Sequence, residues 1–487
     1  MLTIQRRMAR PFLVLLALPA TAMGFALSVQ IAALSWILAT RYGLKIEEIG
    51  LVWAAGPMAG IVGQLLIGIV SDRVWFWNGR RRPFIVIGGV LSSLMILALP
   101  NIGRISQALG FETVLGVAIA VALALDLSIN VSFNPTRSVI TDVTREGPER
   151  TRGYTWMQTV SGLFGVLAYA IGALFGNYVL IYLGAVLVLG FSIVPALLIA
   201  EPRVLPGGAS PPGSAAHATG FGKLLVIMMP LWGFLAYDLY AMTLKILRLN
   251  VASYLPEYAC AALTLAGLAW ALAARDRGIE FVKEDLVEFR KVLAAHSFSW
   301  IGVQTMFVYM IVFVQHRFPG LDADAAGRVL ARSFLVLSAV AALAPTLLLE
   351  PLTRRYSQTR VHAACLAVMT AGFTGIYLYG MTPLSIYALM AVAGVGWAAI
   401  VSLPFAIMSQ RVQQSRIGLY MGVFNLSVVL PQLVVSLGVG SLIGRLEDKG
   451  VIFVIGAASV GCSALAWMFL RRAGDGEAAS ERLPASH

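Results

Sequence analysis

The stretch DLSINVSFNPTR, from Asp126 to Arg137, places an acid and a guanidinium inside the long apolar run 112–141. A charged side chain in the hydrocarbon of a membrane costs about 2.5–3.5 kcal/mol even on lenient scales, so such residues usually have a function. On a helix, the eleven-residue separation returns both side chains to nearly one face, about 16 Å apart along the axis. Asn130 and Phe133 fall on the same stripe. We therefore expect a membrane-spanning helix with one polar face along a binding cavity.

The composition of the whole chain is typical of a membrane protein. Of its 487 residues, 59% are hydrophobic and 12% are charged, whereas soluble proteins have about 25% charged residues. Because the apolar runs are continuous rather than alternating, they predict helices and not a barrel. The net charge is +12. The basic residues that produce it cluster in short loops and tails, as the positive-inside rule requires, which argues against a nucleic-acid partner. The three cysteines are isolated and lack metal-binding spacing, so we expect no metal and no cofactor.

The apolar runs divide the chain into two similar halves. We count about fourteen spans of roughly 20 residues, which predicts an all-α membrane protein with two six-helix bundles and an extra two-helix hairpin between them. The predicted segments are an N-terminal bundle at 1–200, a cytoplasmic linker at 201–222, a transmembrane hairpin at 223–277, an amphipathic surface helix at 278–295, a C-terminal bundle at 296–472 and a cytoplasmic tail at 473–487. Lysines and arginines fall mostly on one side if both termini are cytoplasmic, which predicts a multi-pass protein of the cell membrane, inner or plasma.

A weak internal repeat supports the division into halves. RTRGYTWMQTVSG (150–162) follows the fourth span, and QSRIGLYMGVFNLS (414–427) follows the twelfth. Both place arginine, glycine and tyrosine at the start of a helix that carries amide side chains further along. Two similar halves around a midplane site are the design of alternating-access transporters.

The loop GIVSDRVWFWNGRRRP (68–83) contains an Asp-Arg pair, a glycine and a cluster of arginines. It resembles the cytoplasmic signature of the major facilitator superfamily. Carboxylates can accept hydrogen bonds from arginine and from helix ends, so such a loop can hold one of two conformations closed. A plain positive-inside loop is the alternative. The residues predicted to form this conformational latch are Asp72, Arg73, Gly79, Arg80 and Arg81, together with Asp142 near the cytoplasmic end of the fourth span.

The spacing inside this loop narrows the resemblance. Five residues separate Asp72-Arg73 from Gly79, and the loop ends in GRRRPF. This pattern is similar to plant sucrose transporters and their animal and bacterial relatives, in the glycoside–cation symporter group. The hairpin at 223–273 is extra to that family. Other stretches that resemble it are WAAGPMAGIVGQLLIG (53–68), the opening stretch with Asp142, FSWIGVQTMFVYMIVFVQH (298–316), LPFAIMSQ (403–410) and GVFNLSVVLPQLVVSLG (422–438).

The resemblance implies a role for each charge of the opening stretch. The acid that matches Asp126 is the family's proton-coupling site, and the arginine that matches Arg137 binds the sugar. The chemistry of the residues agrees, since a carboxyl group away from water resists ionisation and can load and release a proton. A guanidinium offers a planar fork of donors suited to vicinal hydroxyls. The alternative is a structural ion pair of Asp126 with Arg137, which on one helix would need a bend at Pro135.

Amide side chains in the apolar runs are further candidates for binding a sugar, because each supplies both a donor and an acceptor. Ordinary hydrogen bonds between helices are the alternative for them. His296 lies near a predicted helix end, so we expect it at the membrane interface. The amide candidates are Asn130, Gln64, Gln30, Asn425 and Gln432.

The sequence thus predicts proton-coupled symport of a disaccharide or related glycoside, of the sucrose or maltose type, by alternating access. We expect a proton rather than sodium as the coupling ion, the sugar and the lipid bilayer as partners, and a monomer. Efflux of an amphipathic compound by a major-facilitator pump is the alternative. An enzyme is disfavoured, because nucleophilic catalysis requires a His or Cys with an oriented partner, whereas the five histidines and three cysteines of this chain are scattered along the sequence.

Overall fold

The computed structural model describes residues 5, 8–60, 74–145, 148–202, 225–247, 249, 251, 253–274, 286–412 and 417–470. In these residues the regular structure is helical, apart from an isolated bridge between Phe76 and Gly79. The predicted all-α class is therefore confirmed. The chain divides into two compact units, one formed by Met1–Ser214 with Val308–Leu335 and the other by Ala215–Phe307 with Val336–His487.

The first unit contains the helices that precede the predicted linker. A 3-10 turn, Leu99–Asn101, joins the third helix to the fourth. Prolines stand in the first turn of both α1 and α3, where a missing N–H removes no helical hydrogen bond. The helices are α1 Arg10–Thr40, α2 Ile46–Trp53, α3 Arg82–Ala98, α4 Ile102–Ala108, α5 Leu115–Val143, α6 Pro148–Phe175 and α7 Asn177–Leu198.

The remaining helices belong to the second unit, except that the end of α10 and the start of α11 belong to the first. π-Helical turns at Pro345–Leu349 and Val435–Val439 follow α11 and α15. The helices are α8 Trp232–Leu247, α9 Leu255–Ala273, α10 Leu286–Arg317, α11 Ala323–Ala344, α12 Glu350–Arg355, α13 Gln358–Tyr379, α14 Pro383–Ser409, α15 Ile417–Val434, α16 Gly440–Arg445 and α17 Val451–Met468.

Twelve helical stretches in the described part of the chain are long and apolar enough to cross a membrane. Two predicted spans are not among them. The span at 47–71 is described only as far as residue 60, and the span at 223–243 corresponds to α8, which has 16 residues. The chain is therefore a multi-pass membrane protein, and the count of fourteen stays a prediction.

Helix α5, which carries Asp126, is held close to α3 by small side chains. A Cβ at Gly88 of α3 would stand 2.1 Å from Oγ of Ser132 and 2.6 Å from the backbone oxygen of Ser128. The Ser132 hydroxyl donates to the carbonyl oxygen of Phe84 over 3.0 Å. Small residues allow helix backbones to approach this closely, so the contact fixes the position of α5 within the first unit.

The predicted surface helix at 278–295 is corrected by the structure over its described part. Residues 286–295 form the first turns of α10, which continues to Arg317 without a break. Phe289 and Leu293 are fully buried, and Lys291 donates to Glu288 over 2.8 Å. Two of the charges that gave this segment its surface character, Glu288 and Lys291, therefore pair with each other inside the unit. Residues 278–285 lie outside the described part of the chain.

Candidate functional site

Asp126 lies in the middle of α5, and its carboxyl group is buried, with 7% of the residue exposed. The Gln30 side chain of α1 donates from Nε2 to its Oδ2 over 3.0 Å. On another side stands Gly56, where a Cβ would come within 3.1 Å of the same oxygen. In the part of the chain that the structure describes, no cation pairs with this carboxyl group. Its hydrogen-bond partner is thus a neutral amide, and an apolar segment covers it.

Asn130 lies one helical turn beyond Asp126 and is also buried. Its Nδ2 donates to the backbone oxygen of Asp126 over 2.8 Å. Nearby in the same unit, the Trp53 indole donates to the Ser35 hydroxyl over 2.7 Å. The structure therefore brings together Gln30, Asp126 and Asn130, which the sequence analysis selected separately.

Arg137 is exposed on α5. Its guanidinium carbon lies 4.2 Å from the centroid of the Phe133 ring, and its backbone oxygen accepts from the Tyr154 hydroxyl over 3.2 Å. Within the described residues no carboxylate pairs with its guanidinium. The alternative of an ion pair between Asp126 and Arg137 is therefore wrong, although Pro135 lies between them on α5.

A buried ion pair joins the start of α3 to the end of α5. Nε of Arg81 donates to Oδ2 of Asp142 over 3.0 Å, and less than a tenth of each side chain is exposed. Both residues belong to the predicted latch. The contact shows that the arginine cluster and the end of the fourth predicted span meet, whereas a latching role stays a prediction.

Glu201 binds the same loop through three backbone N–H groups. Its Oε2 accepts from the amides of Arg80 at 2.6 Å and Arg81 at 2.8 Å, and its Oε1 accepts from Arg82 at 2.7 Å. A carboxylate at this position satisfies free N–H groups at the start of α3 and complements the helix dipole. A Cβ at Gly79 would stand 2.9 Å from Oε1 of Glu201, so a glycine there leaves room for the cap.

The loop reaches this position through a tight turn. Phe76 and Gly79 exchange two backbone hydrogen bonds, of 3.2 and 3.1 Å. The two residues between them, Trp77 and Asn78, have φ angles of 47° and 63°, as a two-residue hairpin turn with positive φ requires. The turn therefore places Gly79 and the arginines that follow it against Glu201.

The second unit has an amide–aromatic face of its own. Gln432 of α15 donates to Gln304 of α10 over 3.2 Å. Trp300 and Phe307, at helical spacing from Gln304, each pack edge-on against Trp397 of α14, with ring centroids 6.0 and 5.3 Å apart. Asn425 lies half-buried on α15. The predicted residues Asn425 and Gln432 thus belong to this unit, and Gln304 is paired with one of them.

His296 is buried rather than interfacial, so that expectation was wrong. Only 2% of it is exposed. Its Nε2 accepts from the Trp300 indole over 2.9 Å, and its ring stacks on Phe424 at a centroid distance of 4.8 Å. The aromatic partners on α10 and α15 bury the imidazole, and a sequence position near a predicted helix end does not show them.

Comparison with known proteins identifies the fold. The model of the Major Facilitator Superfamily matches residues 16–436. The chain belongs to the major facilitator superfamily. This confirms the family resemblance drawn from the motifs, and the protein is a membrane transporter of that superfamily rather than an enzyme.

Individual relatives of this major facilitator protein agree with that assignment. It is 25% identical over 456 residues to "Sucrose transport protein SUC4" of Arabidopsis thaliana, covering 84% of this chain and 80% of that protein. It is 32% identical over 138 residues to the "General alpha-glucoside permease" of Schizosaccharomyces pombe, covering 27% of this chain and 25% of that protein. The solved structure of a mutant of the nucleoside transporter NupG has a TM-score of 0.64 at 12% identity, covering 95% of this chain and 100% of that one, which shows the fold alone.

Three predicted site residues of this transporter, Gln64, Asp72 and Arg73, lie outside the described residues. Two residues were missed. Glu201 is the last acid before the Pro-, Gly- and Ser-rich segment and was read as part of a linker. Gln304 was inside a quoted stretch, and its position four residues after Trp300 was a helical-face signal that could have found it.

Proposed function

We propose that this transporter carries a disaccharide or related glycoside together with a proton, by alternating access. The observation that carries the proposal is the Asp126 carboxyl group, which is buried and bonded to the neutral amide of Gln30. A permanently ionised carboxylate without a counter-ion would cost several kcal/mol in an apolar helix bundle. A carboxyl group that binds a proton during part of the transport cycle avoids that cost, so we assign proton coupling to Asp126.

The glycoside is supported by two kinds of observation. Relatives of this chain carry the names of sucrose and alpha-glucoside carriers, and both units offer groups that suit a sugar. In the first unit Arg137 is exposed and can direct several N–H groups at vicinal hydroxyls, with Asn130 two turns before it. In the second unit Gln432 supplies an amide, and Trp300 and Trp397 are half-buried rings of the kind that pack on sugar faces.

The coupling ion provides enough energy for accumulation. A membrane potential of 100 mV is worth about 2.3 kcal/mol for each elementary charge that crosses. This free energy concentrates a neutral sugar more than about tenfold when one proton accompanies each sugar. We propose a proton rather than sodium because Asp126 has no second carboxylate among its described neighbours.

The same proposal includes the topology expected from the sequence. Helices α8 and α9 would form an extra hairpin between two six-helix halves, which gives about fourteen spans. Both termini would face the cytoplasm, and the protein would work as a monomer in the cell membrane. Asp142, Arg81 and their loop would act as the conformational latch.

The experiment is uptake of labelled sucrose and maltose into proteoliposomes, with an imposed proton gradient, a sodium gradient or neither. We expect accumulation only with the proton gradient. Asp126→Asn should lose that accumulation, so that the internal sugar falls from more than about tenfold above the external concentration to equality with it, while it still exchanges labelled for unlabelled sugar, since exchange does not require net proton movement. The matched control is Asp324→Asn, which changes an exposed acid at the start of α11 and should transport normally.

Three results would overturn this function. Asp126→Asn could retain accumulation driven by the proton gradient, which would remove the coupling role. A sodium gradient alone could drive uptake, which would change the ion. Absence of sugar uptake with active export of an amphipathic dye would favour the efflux alternative.

A further inference from the structure

A second acid, Asp238 of α8, is more isolated than Asp126. Only 2% of the residue is exposed, and within the described chain both carboxylate oxygens are buried without a hydrogen-bond partner. Asp126 by contrast has Gln30, and Asp142 has Arg81. An ionised carboxylate loses its hydration on burial, and without compensating contacts this costs several kcal/mol. The buried position therefore favours the protonated, neutral side chain.

Among the described residues, the elements packed against α8 bring no positive charge to Asp238. Helix α8 packs against α9, α15 and the π-helical turn Val435–Val439. Neither α15 nor this turn contains a charged residue. The titratable side chains near Tyr237, the neighbour of Asp238, are Glu257 and Cys260 from α9 and Tyr240 from α8 itself. Lys245 stands two turns further along α8 and makes no hydrogen bond to Asp238.

The residue next to Asp238, Tyr237, packs α8 against the turn that follows α15. A Cβ placed at Gly438 would lie only 2.0 Å from the Tyr237 hydroxyl oxygen, so the tyrosine fills the space left by that glycine. Gly438 belongs to the π-helical turn that follows α15. Asp238 lies on the buried face of α8 with Phe234 and Ala241, so water that reaches an ionised Asp238 would have to loosen the packing of α8 on its neighbours.

We propose that Asp238 is a proton-binding site separate from Asp126, and that its neutral form holds the hairpin of α8 and α9 against α15. A proton from solvent bonds to a carboxylate oxygen in the docked state and returns to solvent when the hairpin loosens. No other reactant takes part. The proposal does not depend on the substrate or on the coupling role of Asp126.

A native thiol offers a direct test. Cys260 of α9 is half-buried near Tyr237, and the other two cysteines can be removed as Cys365→Ser and Cys462→Ser. In proteoliposomes the labelling rate of Cys260 with N-ethylmaleimide is measured from about pH 6 to about pH 10. Each rate is divided by that of the same protein denatured in detergent at the same pH, which removes the intrinsic reactivity of the thiol. We expect the normalised rate to rise about tenfold with pH, because the charged carboxylate favours the loosened hairpin.

Substitutions assign the rise to one residue. Asp238→Asn is isosteric with the protonated acid and should give a flat, low profile. Glu257→Gln removes the carboxylate of α9, and Asp126→Asn removes the proposed coupling site, and both should keep the rise. Asp238→Ser is a second neutral variant in case the asparagine protein does not fold.

Each outcome of these labelling experiments either supports or overturns the proposed site at Asp238. A flat profile in a folded neutral variant, with a rise in the parent and in both controls, supports the site. A parent profile that does not change with pH overturns it, as does a rise that persists in Asp238→Asn or Asp238→Ser. If neither variant folds, the infrared band of a protonated carboxyl group is measured in the parent and in Asp126→Asn. Absence of that band in Asp126→Asn at neutral pH would then overturn the proposal.

Discussion

Two carboxyl groups on one helix differ in their partners and not in their burial. Asp126 and Asp142 of α5 are 7% and 8% exposed. Asp142 accepts a hydrogen bond from the guanidinium of Arg81, whereas Asp126 accepts from the amide of Gln30. Loss of either charge of an ion pair leaves the other buried and uncompensated. Neutralising Asp126 leaves no such charge behind, so binding and releasing a proton there costs less free energy than at Asp142.

The largest effect is expected at the ion pair. Arg81→Met should lower the free energy of unfolding by about 3–5 kcal/mol, since it leaves the Asp142 carboxylate buried without its cation. Thermal unfolding in detergent measures the change. The double variant of Arg81→Met with Asp142→Leu should recover most of the loss, because both charges are then removed.

The same measurement on Asp126→Leu is the direct comparison. It should destabilise the protein much less than Arg81→Met, because no charged partner is left behind at Asp126. Equal losses for Asp126→Leu and Arg81→Met would contradict the distinction between the two carboxyl groups.

A smaller effect is expected at the cap of α3. Glu201→Ala should cost about 1–2 kcal/mol, because three backbone N–H groups lose their acceptor and the helix dipole loses a negative charge. The matched control is Glu350→Ala, which breaks an exposed pair with Arg354 and should change stability little. If both substitutions have the same small effect, Glu201 does not support the loop that holds Arg81.

The smallest effect is expected at Gly56, which lies against the Asp126 carboxyl group. Gly56→Ala puts a methyl group within 3.1 Å of the Asp126 carboxyl oxygen, so the side chain must move by a few tenths of an ångström. We expect coupled uptake to fall about two- to fivefold. Gly60→Ala, which meets open space four residues later, should leave uptake unchanged, and a similar loss in that variant would point to a general defect of the segment.

The sequence was most informative where the free-energy cost of a charge in an apolar run and the spacing of two residues both concern a single helix. The charges at Asp126 and Arg137 were visible because an apolar run tolerates few of them, and the eleven-residue spacing indicated that they could pair on one helix only if it bends at Pro135. Gln30 was one of five amide candidates, and the sequence assigned it no partner. Its contact with Asp126 joins residues 96 positions apart, and no local pattern encodes such a distance.

Other contacts left no signal in the amino-acid sequence, or left a misleading one. Glu201 stands at the head of a Pro-, Gly- and Ser-rich segment, whose composition predicts a linker, yet it caps a helix that begins more than a hundred residues earlier. The charges in 278–295 predicted a surface helix, and the sequence does not show that two of them, Glu288 and Lys291, pair with each other. In both cases the structure of the segment depends on a partner that the composition of the segment does not reveal.

The uninterrupted course of α5 has a mechanical consequence. Asp126 and Asp142 are sixteen residues apart on it, which is about 24 Å of helical rise. Because both carboxyl groups belong to one unbroken helix, any tilt or rotation of α5 that alters the surroundings of Asp126 also moves the carboxyl group that holds Arg81.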